Sequence, residues 1–486
     1  MDKVKRYIPY LLLTGLTLFF CRMFVGRYGI FGAKVDWLSQ HSVLPDYFRQ
    51  QFYATGKLFP EFAANLGGGQ NIYHFAYYGL YSPLILPSYL LPFVKMSDYI
   101  MAVSITGLIA SVLLFYYWLK SRKTDTGTAF ILSLMFLLAG PMIGQYSGQI
   151  MFVDYMPFLC LALIGVDRYF EQEKSGLFTV SVFLMIMTSF YFSIGGMLSL
   201  VLYGLHRYFE QREGNRVTVR SFLRDGLCFV RSMILAVLMS GFFLVPTALA
   251  LTGGRSKEQN TSFASFFIPQ ITVERFAYSI YGIGLTTLVI TVLLTGLLYR
   301  KVYEKVLTYG CVIVLVIPVF AYLLNGGLYI RDKVFIPFLP LLCYLISIYL
   351  DWVNDFIYAF ATYQVPGHYL NSLKRVAIKG QGNTKFCEFS DGVVSYAKGR
   401  KITENGKIIK DGDTLFLPFV HEKSTYIAYS KNGDCRDWSV FEDDKTMADV
   451  YKITENGNEF IREIPINNNK LHINLPEKIG YKIILK

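Results

Sequence analysis

The side chains suited to chemistry in this sequence are few, and they stand between long apolar runs. Asp36, in AKVDWLSQH, follows the first of these runs by about ten residues, and Trp37 beside it offers an amphipathic ring for a membrane interface. A partly desolvated carboxylate there could take a proton from an acceptor hydroxyl as a general base. The alternative is a helix cap for the segment WLSQHSVLPDYF. Asp154, in IMFVDYMPF, lies near the end of another apolar run. An acid at that depth is costly, which makes it a functional candidate, with a hydrogen-bonded bundle residue as the alternative. Arg331 and Lys333, in NGGLYIRDKVFIPFLP, could bind phosphate, bidentately through the guanidinium and as a point charge through the ammonium. Otherwise they are anchors whose heads snorkel to the interface. Gly67, Gly68 and Gly69 match no phosphate-binding loop and read as a turn. Of the seven cysteines, Cys21, Cys160, Cys228, Cys311 and Cys343 sit in apolar runs, none has metal-ligand spacing, and only Cys387 and Cys435 could pair.

The elements that must position these groups are mostly membrane-crossing. Hydrophobic residues make up 53% of the chain against 17% charged, and they gather in long unbroken runs rather than at core spacing. Runs of ~18 or more residues almost free of charge can cross a bilayer core of about 30 Å as helices, because a helix satisfies its own backbone. Ten crossings are expected, at 8–25, 98–119, 127–144, 150–166, 177–190, 191–205, 227–251, 279–298, 305–324 and 334–353. The first follows MDKVKR without a small-residue cleavage site and reads as a retained signal anchor.

The net charge of +12 would point to nucleic acid in a soluble protein, but its placement reads as topology. Basic residues crowd alternate loops: Lys3, Lys5 and Arg6; Lys120, Arg122 and Lys123; Arg168 and Lys174; Arg207 through Arg224; Arg300, Lys301 and Lys305. The positive-inside rule makes these loops and the N-terminus cytoplasmic, and places 26–97, 252–278 and 325–333 outside. Dividing 177–205 into two crossings keeps the five-arginine loop inside. The first outer loop, 26–97, is too long for a plain connection and holds Asp36, Gln40, His41, Asp46, Glu61, Asn65, Asn71 and His74. Its stretch 76–94 is apolar but broken by Pro83, Pro87 and Pro92, so it reads as re-entrant or interfacial.

Taken in order, several blocks resemble the YfhO-type bacterial membrane proteins, a branch of the polytopic glycosyltransferases with the GT-C fold. They are Asp36-x-x-x-Gln40, Asn65-x-Gly67-x-Gly69-x-Asn71, Tyr77-Tyr78 with Ser82-Pro83, VDYMPFLCLALIGVDRYFEQEKSGLF from Val153, SFYFSIGGMLSLVLYGL from Ser189, and NGGLYIRDKVFIPFLPLL from Asn325. The resemblance covers residues 1 to about 353. It implies a GT-C-like helical bundle and a hexosyltransferase-type reaction at the outer face of a bacterial cytoplasmic membrane. The donor would be a polyprenyl-phosphate sugar and the acceptor a cell-envelope glycan or teichoic-acid-type polymer, with no nucleic acid. It further implies Asp36 as the base, Asp154 as a second acid, and Arg331 and Lys333 on the carrier phosphate. Gln40, Asn65, Asn71, Tyr77 and Tyr78 would be substrate-binding. A phosphate leaving group needs little acid assistance, so neither metal nor cofactor is demanded. Members are commonly longer after the RDK block, so a shortened bundle is expected here; a transporter or flippase of the same lipid, or an inactive scaffold, are the competing functions.

A linker over 354–379 leads to a soluble domain, 380–486. Asn-Gly pairs at 405, 432 and 456 separate short alternating segments, TLFLPFV, STYIAYS, KLHINL and YKIIL, which read as strands of a small β-sandwich similar to accessory domains of secreted glycosidases. The acids Asp434, Asp437, Glu442, Asp443 and Asp444 read as a solvated face, and the repeated ITENG at 402 and 453 as repeated hairpin chemistry. Ten crossings would return this domain to the cytoplasm, whereas a glycan-related role would place it outside, so its side is open.

Overall fold

The computed structural model describes residues 2–486, apart from 29–30, 34–35, 59–61, 67, 214–216, 253–262, 271–272, 277–278, 300, 327–331, 362–384 and short stretches of the C-terminal part at 390–391, 397–401, 405–406, 412–413, 419–423, 431, 443 and 455–456. The chain divides into two compact units, Met1–Phe356 and Ile357–Lys486.

The first unit is helical. Its elements are α1 (Asp2–Tyr28), α2 (Val43–Thr55), α3 (Met96–Ser121), α4 (Thr126–Leu138), α5 (Gly140–Gly148), α6 (Met156–Gln172), α7 (Gly176–Thr188), α8 (Phe190–Gln211), α9 (Val219–Met239), α10 (Gly241–Leu251), α11 (Val273–Phe276), α12 (Leu288–Thr295), α13 (Val302–Val316), α14 (Pro318–Leu324) and α15 (Leu339–Ala361). Leu227, Leu238, Val245 and Leu249 on α9 and α10 are largely exposed, a surface fit for acyl chains rather than water. The α6 helix is the reverse: Met156, Leu159, Cys160, Ala162, Leu163 and Val166 are all fully buried, so it forms the axis of the bundle.

Ten crossings do not appear as ten spanning helices. Among the described residues three, Met96–Ser121, Ile150–Gln172 and Asp332–Val353, are long and apolar enough to cross a membrane. Three bent pairs, α4 with α5 (47°), α9 with α10 (71°) and α13 with α14 (78°), bring the number to six if each is one span. Hydropathy counts apolar side chains whether or not the backbone ladder continues. Pro141 and Pro318 stand in the first turns of α5 and α14, where the missing N–H is tolerated but the preceding ladder ends. The run 177–205 does divide, at Ser189, into α7 and α8. The crossing expected over 279–298 fails most clearly, since only Leu288–Thr295 is α-helical there, followed by a 3-10 turn at Gly296–Leu298. The proline-broken stretch forms two 3-10 turns, Ile72–Tyr78 and Leu86–Leu90, and no spanning helix.

At the ends of α3, α6 and α8 remote from Asp36, the bundle is closed by buried charge. Asp167 accepts from Trp118 Nε1 (2.9 Å) and Tyr203 Oη (2.6 Å) and forms an ion pair with Arg207, its Oδ1 2.8 Å from Nε. Arg122 makes a two-oxygen contact with Glu210 (2.6 and 2.7 Å), and Arg207 reaches both Glu210 and Glu171. Sequence position puts Arg122 and Arg207 among solvated loop cations; in the fold both are nearly enclosed, and a charge so placed must be paired.

The second unit is an antiparallel β-structure. A two-stranded ribbon, β3 (Lys385–Phe389) with β4 (Gly392–Tyr396), accompanies a nine-stranded sheet. After the small β1 (Phe62–Ala63) and β2 (Gln70–Asn71) hairpin of the first unit, the strands of this sheet are β5 (Ile402–Glu404), β6 (Lys407–Asp411), β7 (Thr414–Pro418), β8 (Thr425–Ser430), β9 (Asp434–Ser439), β10 (Met447–Thr454), β11 (Gly457–Asn467), β12 (Lys470–Leu475) and β13 (Gly480–Leu485). The order is β5-β6-β7-β8-β13-β10-β11-β12-β9. The sheet curls until Arg436 of the edge strand β9 meets Asp411 of β6 at 2.5 Å, giving a barrel-like form in place of the expected sandwich. Its core is Phe416, Tyr426, Trp438, Val450, Ile473 and Ile483. Both ITENG copies lead from one strand of a hairpin to the next, β5 to β6 and β10 to β11. The β11–β12 turn is made instead by Asn468 and Asn469, both at positive φ (50° and 59°), which the twist of a two-residue hairpin requires.

Three of the supposedly solvated acids carry partners. Asp434 pairs with Arg436, Asp437 with His472, and Glu442 accepts from Tyr426 Oη. Asp443 lies outside the described residues, as does the side chain of Cys387, and Cys435 is a free thiol rather than half of a disulfide.

Candidate functional site

Asp36 stands at the start of the π-helical turn Trp37–His41 but makes no side-chain cap there. Its Oδ2 accepts instead from Gln149 Nε2. The backbone explains the pairing: Gly32 N donates to Ser147 O (2.7 Å) and Ala33 N to Gly148 O (3.2 Å), so the chain leaving α1 is laid along the end of α5. Trp37, buried and edge-on to Phe31 at 5.3 Å, holds that turn down.

Within the same turn, Gln40 Oε1 accepts from Tyr78 Oη at 2.5 Å, and the His41 ring lies 6.0 Å from that of Tyr78. His41 is 2% exposed. Burial draws its pKa down to about 4 against the opposing pull of the Asp36 carboxylate, so the imidazole is neutral at physiological pH. Tyr77 and Tyr78 share the 3-10 turn Ile72–Tyr78, whose first residue is capped by Asn71, its side chain accepting from Tyr73 N at 2.9 Å. His74 of the same turn donates from Nε2 to Ala250 O (2.9 Å) and ties the loop to α10.

From Tyr77 the cluster continues inward. Its ring is 6.0 Å from Tyr191 and 6.4 Å from Phe152, and over those same two rings lies Lys333 Nζ, at 5.4 and 5.0 Å. Burial, and then the nearby Asp154 carboxylate, push the Tyr77 hydroxyl well above the ordinary phenol range. Asp154 itself is 5% exposed, and Tyr155 beside it stacks on Phe192 at 5.5 Å. His41 Nδ1, Tyr77 Oη, Asp154 Oδ1 and Tyr155 Oη are buried without a hydrogen-bond partner among the described residues. Such groups cost free energy in an apolar bundle unless something completes them.

Lys333 is carried by the 3-10 turn Asp332–Phe338, which leads into α15. Two features seat that turn. Gly195 lets α8 approach so closely that a Cβ would lie 3.2 Å from Val334 O. Arg275, 6% exposed, pairs with Asp332 (2.9 Å), donates to Leu315 O (2.7 Å) and Gln270 O (3.1 Å), and lies over Phe335. The N-terminal ends of α6 and α8 and the Asp332 turn therefore meet around Phe152, Tyr191 and Lys333, so the positive ends of two helix dipoles face that place.

Asp36, Gln40, Tyr77, Tyr78, Asp154 and Lys333 thus belong to one cluster. Asn65 lies exposed in the β1–β2 turn, where Gly68 and Gly69 take positive φ (80° and 95°), and Asn71 serves as the cap just described. Arg331 lies outside the described residues. Gln149, Tyr191 and Arg275 join the site from positions that no spacing rule connects to Asp36, whereas His41 shares its turn and Tyr155 adjoins Asp154.

A helical bundle with apolar outer surfaces and a polar, aromatic-lined cluster at one end is that of an integral membrane protein, and the cluster is its candidate site. Residues 8–348 match the family model for the bacterial membrane protein YfhO, well over half of the chain, and the protein belongs to that family. No curated protein matches it.

Proposed function

We propose that the protein is a membrane glycosyltransferase with a GT-C-like bundle, transferring a sugar from a polyprenyl-phosphate donor to a cell-envelope glycan or teichoic-acid-type polymer at the outer face of the bacterial cytoplasmic membrane. The observation that carries this reading is the pairing, within one cluster, of a carboxylate oriented by Gln149 with an ammonium held over two rings at converging helix N-termini. Asp36 takes the proton of the acceptor hydroxyl as its oxygen attacks the anomeric carbon. The bond from that carbon to the phosphate oxygen breaks, and polyprenyl phosphate leaves. Charge grows on the phosphate in the transition state, and Lys333 with the helix N-termini stabilises it there. Tyr77, Tyr155, Asp154 and neutral His41 offer buried donors and acceptors suited to sugar hydroxyls. Gln40 and Tyr78 hold each other and shape the wall beside Asp36.

An apolar cleft of about 210 Å³, lined by Leu58, Tyr81, Pro83 and Leu86 of the 26–97 loop and by Phe183 and Met187 of α7, suits the first isoprene units of the tail. By the positive-inside rule the basic end of the bundle faces the cytoplasm, which puts Asp36 and Lys333 outside.

The test is transfer by the purified full chain in liposomes, supplied with labelled polyprenyl-phosphate hexose and an envelope polymer. Expected are labelled polymer and released prenyl phosphate, with Lys333→Ala raising the KM for donor. Movement of intact donor between leaflets without transfer would overturn the reading in favour of a flippase.

A further inference from the structure

The second unit holds a reactive arrangement outside the membrane cluster. Strands β9 and β12 pair antiparallel with His472 opposite Asp437 and Asn474 opposite Cys435. Alternation sends Trp438 on one strand and Leu471, Ile473 and Leu475 on the other into the core, and Cys435, Asp437 and His472 to the outward face. There His472 Nδ1 lies 2.7 Å from Asp437 Oδ1, and His472 Nε2 lies 3.7 Å from Cys435 Sγ. A carboxylate can only accept, so Nδ1 carries the hydrogen and Nε2 presents its lone pair to the thiol. Lys470 is the further charged group that these two strands present on this face; Arg436 and Asp434, with Asp411 of β6, form their own ion-pair group.

We propose that Cys435, His472 and Asp437 form a thiol–disulfide exchange site that takes low-molecular-weight disulfides and makes Cys435 a site of reversible S-thiolation. Nucleophile, base and orienting acid stand in the relation that activates a thiol. The imidazole accepts the thiol proton. The thiolate sulfur attacks one sulfur of the disulfide, the S–S bond breaks, and the departing thiolate takes the proton back from the imidazolium. The products are a Cys435 mixed disulfide and one free small thiol, with no other oxidant or reductant. His472 and Asp437 are 67% and 57% exposed on an open sheet face, which admits a small disulfide but offers no enclosing wall for a tetrahedral oxyanion, so acyl transfer is not the chemistry favoured.

The experiment uses the full chain in detergent with Cys228, the other exposed described thiol, changed by Cys228→Ser. Oxidised glutathione is added between pH 6 and 9, and the Cys435 peptide is quantified by mass spectrometry. His472→Asn removes the group placed to accept the thiol proton, so it should slow modification about five- to tenfold at pH 7 and little at pH 9, where hydroxide can take that proton instead. Asp437→Asn should fall between the two, and dithiothreitol should reverse the modification. Both positions are exposed, so folding is expected to survive, checked by the melting of the β-unit. Identical rate–pH profiles for parent and His472→Asn would overturn the proposal and leave Cys435 an accessible but ordinary thiol.

Discussion

Replacing Asp36 by Asn is the sharpest probe of the membrane cluster, because the structure separates charge from shape at that position. Asparagine has the same size, and its carbonyl oxygen can still accept from Gln149 Nε2, so the turn Trp37–His41 and its Gln40–Tyr78 bond should persist. His41 loses the carboxylate that favours its protonated form, but burial already keeps it neutral, so no compensating titration enters near pH 7. What disappears is the proton acceptor. General-base catalysis is worth about 10²- to 10⁴-fold, roughly 3–5 kcal/mol of barrier at about 1.4 kcal/mol per decade. With purified protein and labelled polyprenyl-phosphate hexose, kcat should fall by that factor while donor affinity stays within about twofold, since no donor contact is lost. Asp36→Ala should lose the same activity and also about 1 kcal/mol of stability, because the Gln149 amide is left without its acceptor. Transfer by Asp36→Asn within tenfold of the parent would refute the assignment of Asp36 as base.

Other expectations follow from the same packing. The folded pKa of His41, about 4, lies below its unfolded value of about 6.5, so its contribution is full above pH 6.5 and is lost as pH falls towards 4. A loosening of the 26–97 loop over that window, read by hydrogen exchange, should be absent in His41→Phe; an unchanged acid profile would exclude His41 as its cause. Asp167→Ala removes the acceptor shared by Trp118 and Tyr203 and the ion-pair partner of Arg207, leaves buried cationic charge undercompensated, and should cost about 3–5 kcal/mol, seen as a lower melting temperature in detergent. Gly140→Ala would place a Cβ 2.2 Å from Ser279 O, forcing the 279–285 segment off α5. Since Gln145 donates to Ile280 O in that segment and Tyr281 lies against Phe152, a loss of about 1–3 kcal/mol should come with a raised donor KM.

Much of this protein was legible from side-chain type and order. Long apolar runs make a membrane bundle whatever their packing, because an unpaired peptide group has no partner in hydrocarbon, and alternating short segments between turn residues make strands. The acids and cations placed at run ends, Asp36, Asp154 and Lys333, could be picked out because charge near an apolar run is rare. Tertiary structure decided the rest. Whether a run is one helix or two depends on where Pro141, Ser189 or Pro318 interrupts the ladder, which a hydropathy sum does not register. Arg122 and Arg207 look like loop charges until α3, α6 and α8 bring Asp167 and Glu210 to them. The partner of Asp36 is Gln149, more than a hundred residues away in the chain, and it arrives only because two backbone hydrogen bonds lay the end of α1 along α5. Spacing rules operate within one helix or strand, whereas both the Asp36–Lys333 cluster and the Cys435–His472–Asp437 face are assembled across elements by packing and strand register.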